Sequence, residues 1–180
     1  PSRDTRYMAA LVPGTAANLG ELRSYSDRFS AIYGETSEDK VGFYWQGTDL
    51  PQSVAWDNRN SHFNEAGAPR LAAFDFAVDL EIPADARTTY VGYSAGGSLL
   101  GTGEREGLDS TNIVYVAPAG PGHGVGGVED TANPEANRYW VQARDDVLIG
   151  IAQKVGGPGH GESFLQSGTP TVMGVTRLET

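Results

Sequence analysis

Short β-forming runs, each stopped by glycine or proline, alternate with stretches of helical spacing, and this alternation restricts the fold more than any other feature. "RYMAALVPG" (6–14) is an apolar run ended by Pro13 and Gly14, the pattern of a buried strand entering a loop. "NLGELRSYSDRFSAIYG" (18–34) then places Leu19, Leu22, Tyr25, Phe29, Ile32 and Tyr33 at helical spacing, with Asn18 as N-cap and Gly34 just past the end. "KVGFYWQG" (40–47) is a second strand, again ended by glycine. Residues 48–66 are polar with scattered aromatics and no clean period; they read as a lid-like excursion beside a pocket.

"GAPRLAAFDFAVDLEI" (67–82) returns to helical spacing, with Leu71, Phe74, Val78 and Ile82 in line and Pro69 near the expected helix start. After it come a strand, "RTTYVGY" (87–93), a helix, "AGGSLLGTGEREG" (95–107), and a strand, "NIVYVAPAG" (112–120). A glycine-rich loop, "GPGHGVGG" (120–127), leads to a further strand, "RYWVQA" (138–143), followed at once by "RDDVLIGIAQKVGG". Strands alternating with helices predict an α/β fold, a mostly parallel sheet with helices on both faces. Ligands of such sheets gather at the carboxyl ends of the strands. The segments at Pro13-Gly14, Gly47, Ser94, Pro118 and Asp145-Asp146 all follow strands, so they are expected on one rim.

One domain accounts for 180 residues, a length that can bury a core without staples. A net charge of −10 disfavours nucleic acid and anionic membrane surfaces as partners. Without cysteine, thiolate catalysis and zinc-thiolate sites are excluded. No apolar run approaches the length of a transmembrane span, and no signal peptide is visible. The ends "PSRD" and "GVTRLET" read as cuts inside a larger polypeptide, with a C-terminal part missing; the compartment stays open.

Within "TTYVGYSAGGSLLG" (88–101), Ser94 stands between Gly92 and Gly96 in a G-x-S-x-G pattern. In a chain with 24 glycines the pattern alone is weak, and a plain small-residue turn is its alternative. Its context, a β-rich run before and a helix-like run after, favours a serine nucleophile on a strand-to-helix turn. Such a turn lifts the hydroxyl clear of the sheet and points helix N-terminal amides at developing negative charge. Crowding there demands small residues two positions either side of the serine. The first oxyanion donor would be the amide of Ala95. The second would come from the loop after the first strand, "VPGTAAN" (12–18), at Gly14, Thr15 or Ala16.

The acid of a serine triad should follow a later strand. Asp145 and Asp146 do so; one of them can instead cap the following helix, and Asp146 is favoured as the triad member. Of the three histidines, His62 and His123 precede the aspartates, which is the wrong order for this kind of site. His160, in "GGPGHGESF", has the right order; a surface-loop histidine is the competing reading.

Taken together, the pieces "ALVPGTAANL", "YWQGTDLPQSV", "GAPRLAAF", "VGYSAGGSLLG", "NIVYVAPAGPG" and "RDDVLIG" resemble an α/β-hydrolase. More narrowly, they are similar to a bacterial α/β-hydrolase family formerly called a domain of unknown function. The resemblance spans nearly the whole chain in order. It implies a minimal α/β-hydrolase core with a triad on Ser94 and Asp146. The family's histidine lies in a loop before a final helix. "GHGESFLQSG" aligns to that loop and supplies His160, whereas "PTVMGVTRLET" also resembles the segment just before it, which would put the histidine beyond Thr180.

The expected activity is that of a serine esterase or lipase acting on a small or lipid-like acyl substrate through an acyl-enzyme, without cofactor or metal. Tyr44, Trp45, Trp56 and Phe63 can line an acyl pocket, although core packing suits Tyr44 and Trp45 better. Two alternatives use the same chain: a non-catalytic hydrolase-fold module for binding or assembly, and an acyltransferase. A nucleotide site is unsupported, since neither G-x-G-x-x-G nor G-x-x-x-x-G-K-[ST] occurs at a strand-to-helix turn. "HGVGGVED" (123–130) matches no well-specified metal spacing.

Overall fold

A computed structural model of the chain describes residues 1–15, 17, 20, 22–34, 37–52, 61–118, 120–142, 165–166, 169–170 and 173–178. In chain order the elements are β1 (Tyr7–Val12), α1 (Leu22–Tyr33), β2 (Lys40–Tyr44), α2 (His62–Asp79), β3 (Arg87–Tyr93), α3 (Ala95–Arg105), β4 (Asn112–Val116) and β5 (Asn137–Val141). The short β6 (Leu165–Gln166) and β7 (Thr169–Pro170) pair antiparallel, and β8 (Thr176–Arg177) joins the main sheet. That sheet has six strands in the order β2-β1-β3-β4-β5-β8 and is parallel throughout. The expected α/β architecture is therefore the observed one.

The pleat sorts the helices between the faces. Residues paired across parallel strands share a face, so Ala10, Phe43 and Tyr90 point one way and Ala9 and Gly42 the other. On the first face Phe74 of α2 meets Phe43 and Tyr90 edge-on, at centroid distances of 5.3 and 6.5 Å. On the second face Gly42 lies against the rings of Phe29 and Tyr33 from α1. A Cβ at Gly42 would sit 3.0 Å from Phe29, so glycine lets α1 settle on the strand. Helix α1 ends where expected: Gly34 has φ +83° and its amide donates to the Ser30 carbonyl at 2.8 Å.

α3 is buried along Ala95–Glu104, enclosed by the sheet, α2 and the segment 120–125. Small residues allow this approach. A Cβ at Gly101 would come within 1.7 Å of the Pro121 carbonyl oxygen, and one at Gly67 of α2 within 2.9 Å of Leu99.

Two sequence expectations need correction. α2 begins at His62, five residues before the expected start, so the excursion after β2 is shorter than 48–66 and Pro69 lies inside the helix. The first turns were hidden because they bury Asn64 and Gly67 rather than large apolar residues. The fourth strand stops at Val116, and Ala117 takes φ +44°, which turns the chain before Pro118. The strand β8 had no counterpart in the reading of the sequence. The expected helix from Arg144 onward lies outside the described residues.

α2 also carries a buried carboxylate. Asp75 is 2% exposed; one oxygen accepts the Asp109 amide at 2.8 Å, and the other has no hydrogen-bond partner among the described residues. Tyr90 lies near enough for its hydroxyl to interact with this charge, yet among the described residues that hydroxyl also lacks a well-formed hydrogen bond. Burial pushes the Asp75 carboxyl up to about 6, helped by Asp79 and Asp109 and opposed by the Asp109 amide and Tyr90. The folded state therefore holds this proton more tightly than the unfolded chain. The associated stability is full below the unfolded value of 3.8 and is lost as pH rises through about 6. Asp75→Asn is expected to gain about 2 kcal/mol over the parent between pH 4 and pH 7.5. Urea unfolding of both proteins at the two pH values checks this; parallel pH profiles would remove the assignment.

Candidate active site

The order β2-β1-β3 makes the chain reverse its direction of travel across the sheet between β1 and β3. A parallel sheet opens a crevice at the carboxyl ends of two such strands, because the connections leave them on opposite sides. The two segments that follow these strands are Pro13-Gly14 and Ser94. Both belong to the expected rim, as do Gly47 after β2 and Pro118 after β4.

Ser94 is the N-cap of α3, with φ +53° and ψ −120°. Among the described residues the only other non-glycine with positive φ is Ala117. A non-glycine backbone in this region is strained, costs about 1–3 kcal/mol and persists only where its surroundings enforce it. The surroundings here are specific. The Ser94 amide donates to the Val116 carbonyl at 2.9 Å, and the Ser94 carbonyl accepts the Gly97 amide at 2.9 Å. The turn is thus pinned to β4 below and to the first turn of α3 above, and Ser94 itself remains half-buried at the rim.

The glycines around it are steric requirements. A Cβ on Gly92 would lie 2.7 Å from both the Gly96 carbonyl oxygen and the Gly97 Cα. A Cβ on Gly96 would lie 2.3 Å from the Pro13 oxygen and 2.4 Å from the Val12 oxygen. One on Gly97 would meet the Pro118 side chain at 2.8 Å. On the opposite side of the turn, a Cβ on Gly14 would stand 2.9 Å from the Ser94 Cβ and 2.8 Å from the Tyr93 oxygen. Strand end, serine turn, helix start and the loop after β1 are therefore in backbone contact.

No family model, curated protein or solved structure matches the chain.

The expected oxyanion donors divide. Ala95 opens α3, and Gly14 and Thr15 lie in the loop that touches the serine turn, whereas Ala16 lies outside the described residues. The first amides of a helix have no partner within it, so a helix starting at Ala95 directs donors toward the Ser94 end. Asp145, Asp146, His160 and Trp56 also lie outside the described residues.

The other two histidines are accounted for without Ser94. His123 sets its Nε2 3.2 Å from the Glu65 carboxylate, and its amide donates to the Thr102 hydroxyl at 2.9 Å. Thr102 is two helical turns, about 12 Å along the axis, from Ser94. His62 begins α2 and packs on Phe63 at 3.8 Å between ring centroids. Trp45 is a core residue at 7% exposure, and Tyr44 packs on Tyr25 at 5.6 Å. Core packing therefore accounts for both.

Sequence reasoning passed over Gln46. Its Nε2 donates to the Ala17 carbonyl at 3.2 Å, joining the loop after β2 to the loop after β1. Its place as the polar residue near the end of the strand-like run 40–47, next to Gly47, was the available signal. A cavity of about 450 Å³ also opens at the opposite edge of the sheet, lined by Asp79, Thr88, Asp109, Thr111 and Asn137 among others. These residues stand at the amino ends of the strands, away from Ser94. Among the described residues no cluster of three His, Asp or Glu is arranged to hold a metal ion, and no helix is long and apolar enough to cross a membrane.

Proposed function

We propose that the chain is a serine hydrolase of the α/β-hydrolase type, acting on an ester or related acyl substrate. The observation that carries this reading is the backbone of Ser94. A strained serine at a strand-to-helix turn, at the switch point of a parallel sheet, is the geometry that presents a hydroxyl to a bound acyl group. The close approach of Gly14 to the Ser94 Cβ supports a second donor from the loop after β1.

In this mechanism a histidine takes the Ser94 proton as Oγ attacks the acyl carbon. The carbonyl oxygen becomes an oxyanion, held by the Ala95 amide and by the Gly14–Ala16 loop. As the intermediate collapses, the same histidine returns the proton to the leaving alcohol, and water then releases the acyl group by the reverse roles. His160, or a histidine beyond Thr180, is the base, and Asp146 orients it. The positive end of α3 favours the anionic intermediate over the neutral substrate, which is where rate acceleration must come from.

Covalent labelling by a fluorophosphonate probe tests the reading. The protein is expected to take one label, and Ser94→Ala is expected to take none while keeping its fold by circular dichroism. Absence of label on the parent protein would defeat the proposal. His160→Ala separates the two histidine positions, since it slows labelling at least a hundredfold only if His160 is the base. Product analysis with an added alcohol distinguishes hydrolysis from acyl transfer.

A further inference from the structure

We propose that Gln46 is a positioning residue for the reaction at Ser94, fixing the turn that carries the second oxyanion donor. This rests on the serine-hydrolase reading above. The contacts form a short relay. Gln46 Nε2 holds the Ala17 carbonyl at 3.2 Å. The Ala17 amide in turn donates to the Gly14 carbonyl at 3.3 Å, tying Ala17 back to the start of the loop after β1. Gly14 presses on the Ser94 Cβ and the Tyr93 oxygen with no room for a methyl group. The loop is thus set at Gly14 against Tyr93 and the Ser94 Cβ, and at Ala17 by Gln46. Thr15 lies between these two anchors.

Gln46 is itself held in place. The Trp45 amide extends the β-ladder to the Leu11 carbonyl at 2.9 Å, and the Gly47 carbonyl accepts Arg70 at 3.2 Å. The backbone on either side of Gln46 is thereby tied to β1 and to α2. The orientation of the side-chain amide is also determined, because its NH₂ must face the Ala17 carbonyl; a flip would set oxygen against oxygen. What remains is unusual for a residue serving stability alone. Gln46 Oε1 is buried and has no hydrogen-bond partner among the described residues. A buried unpaired carbonyl offsets what the Nε2 bond contributes to folding. The donor is held despite this cost, and among the described residues its recipient is the Ala17 carbonyl, in the loop that lies against Ser94.

The substitution Gln46→Met keeps length and bulk while removing both polar atoms. It is expected to leave the thermal midpoint within a few degrees. Hydrolysis of p-nitrophenyl acetate should lose kcat by roughly 10- to 100-fold with KM nearly unchanged, because a displaced donor is felt in the transition state more than in binding. Gln46→Glu, which presents only acceptor oxygens to Ala17 when ionised, should lose a similar factor. Fluorophosphonate labelling of both variants should slow in parallel with kcat. Unchanged kcat in Gln46→Met overturns the proposal, and so does a loss accompanied by a large fall in thermal midpoint or by a rise in KM alone. If the parent protein neither labels nor hydrolyses the ester, the serine-hydrolase reading fails first and the role of Gln46 falls with it.

Discussion

Arg138→Met is expected to destabilise the protein by about 3–5 kcal/mol, the usual consequence of leaving one member of a buried ion pair behind. Arg138 on β5 and Glu104 on α3 are 3% and 1% exposed. The guanidinium donates through Nε to Glu104 at 2.9 Å, and through its terminal nitrogens to the Thr131 hydroxyl and to the Asn133, Pro134 and Ala136 carbonyls. The Tyr115 hydroxyl, on β4, donates to the same carboxylate. Arg138, Glu104 and Tyr115 together thus join the last turn of α3, two strands and the loop 131–136.

Burial raises the Glu104 carboxyl, while Arg138 and Tyr115 oppose that rise. Removing Arg138 leaves burial less opposed, and the folded protein then retains the proton more tightly than the unfolded chain. The deficit should accordingly be largest at neutral pH and shrink as pH falls toward the ordinary carboxylate range. Chemical denaturation at pH 5 and pH 7.5 reads both effects. Glu104→Met combined with Arg138→Met should recover most of the loss, because no unpaired charge remains. A single-variant loss below about 1 kcal/mol would show that the pair is not the clamp its contacts describe.

Gly96→Ala should cost about 3 kcal/mol and abolish fluorophosphonate labelling. The added methyl would overlap the Pro13 and Val12 oxygens at 2.3 and 2.4 Å, and both are backbone atoms that cannot rotate away. The helix or the loop after β1 must shift, and either shift separates Ser94 from Gly14. Gly103→Ala on the same helix is the control. Its Cβ would have as nearest atoms apolar side-chain carbons, of Leu71 at 3.2 Å and Leu108 at 3.8 Å, and alanine gains helix propensity. Equal losses in the two variants would mean that helix interior effects, rather than the serine turn, set the cost.

The serine turn was legible in the sequence because its constraint is local: a serine forced to positive φ needs small residues at fixed offsets, and Gly92 and Gly96 stand there. The order of strands and helices was legible for a similar reason, since each change of period coincides with a glycine or proline. The beginning of α2 was not, because its inner face is built from Asn64, Gly67 and Ala68, which carry no apolar signal. Arg138 was passed over within "RYWVQA" because a charge in a strand reads as a solvent-facing position. Its burial depends on Glu104, an acid on a different element, and such pairs are visible only once the sheet has brought the two elements together. Gln46 was missed likewise: its partner is a backbone carbonyl, which has no signature in sequence.

The strand order has a consequence for how the protein is made. β1 is synthesised early yet lies inside the sheet, with β2 on one side and β3 on the other. On a ribosome, β1 can pair with β2 soon after α1 emerges, whereas Tyr7 must wait for Arg87 and Val12 for Gly92. During that interval the "AALV" edge of β1 presents unpaired amides and carbonyls beside apolar side chains, a surface open to wrong partners. The slowest productive event should therefore be the docking of β3, and the same event brings Gly14 against Ser94. Acquisition of the serine turn and closure of the sheet are one step in the life of the nascent chain.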